Sequence, residues 1–123
     1  MSSDLDRLQG KWKQVKFQEN GRIDPPDSHG AAGAVMTISG QSFHVAVPGG
    51  KTLIEGRFVL DDAVKPKGID WIDSMGEDAG KTLLAIYELA DDRFQFAAAD
   101  ADMARPKGFD GGAGITLRGF VRL

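Results

Sequence analysis

The sequence predicts an all-β domain in which about eight antiparallel strands form an up-and-down barrel, preceded by a short N-terminal helix. Apolar and polar residues alternate in short runs, and turns rich in glycine and proline separate these runs at nearly even spacing. A Gly-x-Trp sequence, Gly10-Lys11-Trp12, opens the first run. A closed barrel is favoured over an open sheet because only closure removes both unpaired edges.

Length and composition limit the classes of protein to consider. A chain of 123 residues forms a single domain, 1–123. The net charge of −3 and the scattered basic residues do not predict binding to nucleic acid. The absence of cysteine excludes disulfides, thiolate metal sites and cysteine nucleophiles. No secretory signal or membrane-length apolar run is present, so we expect a cytoplasmic protein, monomeric or weakly dimeric.

The N-terminal segment predicts one helical turn over residues 3–8. A serine can cap this turn, and Leu5 and Leu8 are spaced to lie on its inner face. Gly10 ends the helix and begins the change to a strand.

The first strand is predicted over residues 11–19, and its alternation raises a question of side-chain direction. Val15 and Phe17 share one face, whereas Trp12 has the parity of polar residues such as Gln14. Either a β-bulge turns Trp12 inward or the polar set faces the lumen. We favour the bulge.

The middle of the chain continues with a long loop and three strands. Residues 20–33 hold Asn-Gly and Pro-Pro dipeptides and predict the longest irregular stretch, a mobile flap. Strands are expected over 34–39, 42–47 and 51–60, with tight turns between them.

The second half predicts four further strands. The run 81–89 is apolar on both faces, which indicates one face on the lumen and the other under a helix or loop. The Gly-rich loop 100–114 is expected to border the open end together with the loop 20–33. The strands are expected at 69–73, at 81–89, around Phe94 and Phe96, and at 115–123.

Several segments together resemble one family along the whole chain. They are Leu8-Gln9-Gly10-Lys11-Trp12, Lys65-Pro66-Lys67-Gly68-Ile69-Asp70, the run from Gly80 to Leu89 (Gly-Lys-Thr-Leu-Leu-Ala-Ile-Tyr-Glu-Leu) and Arg105-Pro106. The chain resembles an uncharacterised lipocalin-like bacterial domain family, abundant in planctomycetes and of the calycin type. The resemblance implies a small β-barrel and brings no established activity. It also implies that Trp12 packs across the closed end under an arginine of the last strand, Arg122 first and Arg118 second.

The sequence gives little support for catalytic or metal-binding motifs. Two Gly-Lys-Thr sequences, at 50–52 and 80–82, lack the first glycine of a P-loop and open strands, so they predict hairpin turns. His29 and His44 are the only histidines, and neither belongs to a ligand pattern. We therefore expect no metal and no cofactor.

One enzymatic alternative uses carboxylates. Asp70 and Asp73 flank Trp71, and an aspartate buried in the barrel would have a raised pKa and could act as a general base. Pairing of Asp70 with an arginine or lysine at the barrel rim is the favoured interpretation, and an enzyme is the less favoured class.

Aromatic residues on consecutive strands carry the main functional prediction, the non-catalytic binding of a small apolar or amphipathic ligand in the lumen. Arg105 is expected to meet the polar head of that ligand. The alternative is a protein-interaction module with a filled barrel, which contacts its partner through a loop or the outer face of 81–89. The predicted lumen residues are Phe58, Trp71, Tyr87, Phe94 and Phe96.

Overall fold

The computed structural model confirms an all-β chain with one short helix. It describes residues 4–19, 22–24, 34–47, 52–61, 63–64, 67–75, 79–101, 103–109, 112 and 114–123. In order these form α1 (Asp4–Leu8), β1 (Gly10–Glu19), β2 (Arg22–Asp24), β3 (Val35–Ser39), β4 (Ser42–Ala46), β5 (Thr52–Asp61), β6 (Gly68–Asp73), β7 (Thr82–Leu89), β8 (Arg93–Ala99) and β9 (Ile115–Arg122).

Eight of the strands close into an antiparallel barrel. From β3 to β9 each strand pairs with the next, β3 also pairs with β1, and β9 returns to pair with β1. The short strand β2 pairs only with the end of β1, at 17–19. It was not expected, since the segment 20–33 was predicted to be irregular. The barrel has the up-and-down order that the sequence predicts.

A β-bulge interrupts β1 where it pairs with β9. The register shifts between Gln14 and Lys16, so Val15 has no partner on β9. Trp12 and Gln14 both face inward, with 0% and 6% of their surface exposed, whereas Val15 is 45% exposed. Trp12 shares its inward face with Gln14, as the sequence parity indicates, and the favoured β-bulge is present but lies beyond them, at Val15. The effect of the bulge is to turn Lys16 outward, since unbroken alternation after Gln14 would bury that lysine.

Two apolar clusters lie on opposite sides of the barrel wall. The main cluster fills the interior and includes Leu8 of α1. A second cluster lies outside, where residues 103–109, here named the strap, contribute Phe109. The outer face of β7 is therefore covered by a loop, as its two apolar faces predict. The outer cluster consists of Ile86, Ala97 and Leu117, with Phe109 and Ile115 packed against them.

Gly10 makes the connection from α1 into β1. Its φ of 115° lies in a region that residues with a Cβ atom rarely adopt. A Cβ atom at this position would lie 3.6 Å from the Arg122 guanidinium. Helix α1 has five residues, and no helix in the described part of the chain has the length and apolar character to cross a bilayer.

Candidate functional site

The five aromatic residues predicted for the lumen all lie in the interior cluster. They come from four consecutive strands, and each exposes less than a tenth of its surface. These residues are Phe58 of β5, Trp71 of β6, Tyr87 of β7, and Phe94 and Phe96 of β8.

Trp71 is the centre of this aromatic network. Its ring centroid lies 4.8 Å from that of Phe96 and 5.0 Å from that of Phe43, and the Phe43 contact is edge-on. Phe120 stacks on Phe94 and Phe96, with centroids 5.9 and 6.0 Å apart. Sequence reasoning did not assign Phe43 or Phe120 to the lumen, although the alternation in their strands could have identified both.

The indole N–H of Trp71 is the unusual polar group of the interior. Trp71 is 4% exposed, and its Nε1 has no hydrogen-bond partner among the described residues. The other tryptophan differs, because Trp12 Nε1 donates to Leu8 O at 2.8 Å. A buried donor without a partner costs about 1–3 kcal/mol, and such groups are rare in folded proteins. Trp71 therefore presents a donor that a molecule in the barrel could satisfy.

A polar pair, Gln14 and Arg118, joins β1 to β9 inside the barrel. Arg118 Nη1 donates to Gln14 Oε1 at 2.8 Å. Arg118 faces Phe96 across the β8–β9 ladder, so both side chains lie on the inner face. The sequence suggested Arg118 only as a second candidate to cover Trp12. The structure instead makes it a cation of the interior.

Arg105 lies on the outer wall, not in the lumen, which corrects the expectation that it borders the open end. Its Nη1 donates to Ala85 O at 2.7 Å. A Cβ atom on Gly68 would lie 3.1 Å from this nitrogen. Gly68 is paired with Ile86 of the outer cluster, so the guanidinium lies outside the sheet. Its loop folds back over the wall because outward-facing apolar residues there need cover.

Asp70 shares this outer position. Its Oδ1 lies 2.7 Å from Arg105 Nη1, an ion pair without hydrogen-bond geometry. The favoured interpretation of Asp70, a pairing with a cation, agrees with this contact. The alternative in which Asp70 acts as a base inside the lumen is wrong. Ile69 and Trp71 both face the interior, so Asp70 between them points outward. Asp73 has the inward parity of Trp71 and is half-buried, and its catalytic role stays a prediction.

At the closed end, Arg122 covers Trp12. The Arg122 Cζ lies 4.2 Å from the centroid of the indole. The same guanidinium donates to Gln9 O at 3.0 Å and to Arg7 O, so it also holds the C-terminal end of α1. Trp12 thus has a structural position.

A second polar cluster fixes α1 to the barrel through Asp4. Asp4 Oδ2 accepts hydrogen bonds from Lys67 Nζ at 2.8 Å and from the Tyr87 hydroxyl at 2.7 Å. Arg7 Nη1 lies 3.5 Å from Oδ1. Burial raises the pKa of Asp4, but the hydrogen bonds from Lys67 and Tyr87 and the charges of Lys67 and Arg7 outweigh it and hold the pKa below its usual 3.8. No local pattern predicts partners 63 and 83 residues apart.

The described residues include no group of three or more histidine or acidic side chains able to hold a metal. His44 Nε2 lies 2.8 Å from Thr52 Oγ1, a contact between neighbouring strands. His29 lies outside the described residues, as does most of the predicted flap 20–33.

The chain was compared with protein-family models, with curated proteins and with solved structures, and none of the three comparisons gave a match. The lipocalin-like resemblance therefore stays a prediction. Any function must be argued from the geometry of the barrel itself.

Proposed function

We propose that the interior of the barrel binds a small, partly apolar molecule that accepts a hydrogen bond from the Trp71 indole N–H. The observation that carries this proposal is the buried Nε1, which has no partner among the described residues. Free energy of about 1–3 kcal/mol is recovered when such a donor finds an acceptor. A bound molecule in contact with Trp71 would supply it.

The surrounding side chains define the chemistry of such a ligand. Around Trp71 lie the rings of Phe43, Phe58 and Phe96, which favour an apolar body. The N–H requires a carbonyl, carboxylate or hydroxyl oxygen on the ligand. We therefore expect an amphipathic molecule with one oxygen acceptor near its centre or head. Arg105 plays no part in this contact, because it lies on the outer wall.

We also propose that the chain is a lipocalin-like domain of the calycin type. The support is the combination of an eight-stranded closed barrel with Arg122 lying over Trp12 at one end. Domains of this shape enclose room for side chains or for one small ligand. The proposal is consistent with binding and assigns no reaction.

The second candidate is a protein-interaction module with a filled barrel. The observation that favours it is the packing of the interior rings, whose centroids lie 4.8 to 6.5 Å apart around Trp71. The outer face of β7, proposed from the sequence as a contact surface, is covered in part by Phe109. A partner would then use another face of the wall.

Native mass spectrometry of the freshly purified protein tests ligand binding directly. We expect wild type to carry an added mass that disappears under denaturing conditions. Trp71→Phe removes the N–H and keeps an aromatic ring, so it should retain about tenfold less of that mass. The control Val59→Ala alters an exposed side chain of β5 and should behave as wild type. A wild-type spectrum with no added mass would contradict ligand binding and support the filled barrel.

A further inference from the structure

A groove lies on the outer face of β1, β8 and β9, opposite in the barrel to β5. It encloses about 320 Å³. Its lining includes Gly119, over which the Lys16 side chain lies, and the exposed Val15 of the bulge. The outward-facing residues of its lining are Val15, Lys16, Glu88, Arg93, Gln95, Gly119 and Val121.

Basic side chains concentrate on this face. Lys11, Lys13 and Lys16 of β1 and Arg93 of β8 are all exposed. Across the ladders Lys13 and Arg93 both face Val121, and Lys16 faces Gly119. None of the four cations forms an ion pair with another residue in the described part of the chain.

One acidic residue, Glu88, also lines the groove. Its carboxylate accepts a hydrogen bond from Gln95 Nε2 at 3.0 Å. The whole protein carries a net charge of −3, so a positive face is a local feature and not a property of the surface as a whole. The sequence-based view that the basic residues are scattered is therefore incomplete. The bulge in β1 contributes to the positive face, because it turns Lys16 outward beside the groove.

The spacing of the lysines fits an extended chain. Residues two apart on one face of a strand lie about 6.5–7 Å from each other, as do alternate side chains of any extended peptide. Lys11 and Lys13 have this spacing, and Lys16 follows after the bulge. Carboxylates at alternate positions of a bound segment could therefore meet successive lysines.

A peptide suits this face better than a nucleic acid does. Single-stranded nucleic acids are held by aromatic side chains that stack on the bases. The exposed large apolar residues of the described chain are Val15, Val59, Val64, Met103 and Leu123, and none is aromatic.

We propose that this groove binds an acidic protein segment in an extended conformation, with glutamate or aspartate at alternate positions. Lys16 and Arg93 hold the carboxylates on the two sides of the groove. This site lies outside the barrel and does not depend on whether the lumen holds a ligand.

The test measures binding of a fluorescein-labelled peptide in which glutamate alternates with valine and serine, by fluorescence anisotropy. Lys16→Glu should weaken binding about tenfold, because it places a repelling charge beside the segment. The matched control is Arg57→Glu, the same charge reversal at an exposed position of β5 on the opposite wall, which should change affinity less than about twofold. Thermal unfolding of both variants checks that each remains folded.

Two further probes complete the design. A peptide with glutamine in place of glutamate should bind at least about tenfold more weakly. Added salt should weaken the binding of the acidic peptide. The proposal is overturned if wild type does not bind the acidic peptide at about millimolar concentration, or if Arg57→Glu weakens binding as much as Lys16→Glu. It is also overturned if labelled oligothymidine binds as tightly as the peptide.

Discussion

Arg122 of the last strand lies over the indole of Trp12 on the first strand, with its Cζ 4.2 Å from the ring centroid. Through its bonds to the carbonyls of Arg7 and Gln9, the same side chain also fixes the end of α1. One residue therefore connects the two terminal strands and the helix. This arrangement closes one end of the barrel.

Replacement of Trp12 should strongly destabilise the protein. Trp12 is fully buried, and Trp12→Ala leaves a cavity against Phe94 and removes the bond to Leu8 O. We expect the free energy of unfolding in urea to fall by about 3–5 kcal/mol. Val59→Ala, at an exposed position, should change it by less than about 0.5 kcal/mol. Equal stability of Trp12→Ala and wild type would contradict a structural role for this tryptophan.

Arg122→Lys keeps the positive charge and tests the shape of the guanidinium. A lysine cannot cover the Trp12 ring and donate to two carbonyls at once. The expected loss in the free energy of unfolding is about 1–2 kcal/mol. Arg57→Lys, on the exposed outer face of β5, serves as the control and should unfold as wild type does. If both variants lose the same stability, the contact with Trp12 contributes nothing specific.

The Asp4 cluster should make the protein acid-sensitive. The pKa of the Asp4 carboxyl in the folded protein lies below its usual 3.8, so the carboxylate stabilises the folded state above about pH 3.8. This stabilisation is lost as the pH falls through the pKa of the folded state. Asp4→Asn should cost about 1.5–3 kcal/mol at neutral pH. Urea unfolding of both proteins from pH 7 to pH 3 should show the difference shrinking below about pH 4. A difference that stays constant over this range would exclude Asp4 as the source.

Arg105→Ala should loosen the strap without affecting the lumen. Both partners of its ion pair with Asp70 are about one-third exposed, so the pair contributes at most about 1 kcal/mol. We expect faster hydrogen exchange in residues 103–109 and an unchanged amount of added mass in the native spectrum. Loss of that mass would return Arg105 to the ligand site and contradict its placement on the outer wall.

Two glycines in neighbouring strands should respond differently to the same change. A Cβ atom on Gly56 would lie 2.2 Å from the backbone oxygen of Ile72, so Gly56→Ala forces β5 and β6 apart. At Gly68 the nearest atom belongs to the flexible side chain of Arg105, 3.1 Å away. We expect Gly56→Ala to cost about 3 kcal/mol or more and Gly68→Ala about 1 kcal/mol or less. Similar losses in thermal or urea unfolding would contradict the register between these strands.

The all-β barrel could be predicted because each strand carries its own alternation and each turn its own residues. The inward-facing residues on β5 to β8 follow from the same local pattern. Phe58, Trp71 and Phe94 each come directly after a charged residue, and neighbouring side chains of a strand point to opposite faces. A bulge in β1 was predicted, but its position at Val15 was not, because the alternation of polar and apolar residues in this strand fits more than one position of the inserted residue.

Longer-range placement could not be predicted in the same way. The loop that holds Arg105 could cover the open end or the outer wall, and the sequence does not distinguish these positions. The available signal was the outward parity of Ile86, Ala97 and Leu117, three apolar residues that need cover. The contact between Asp4 and Tyr87 spans 83 residues and depends on where the helix docks.

The two indole N–H groups allow the most direct test of ligand binding in the lumen. In a nitrogen–proton correlation spectrum Trp12 serves as an internal reference, because its N–H is bonded to Leu8 O. The protein as purified is compared with protein that has been unfolded, stripped of small molecules and refolded. We expect the Trp71 signal to shift and to exchange faster with solvent after stripping, while the Trp12 signal stays in place. Identical positions and exchange rates for Trp71 in the two samples would contradict a ligand at this donor.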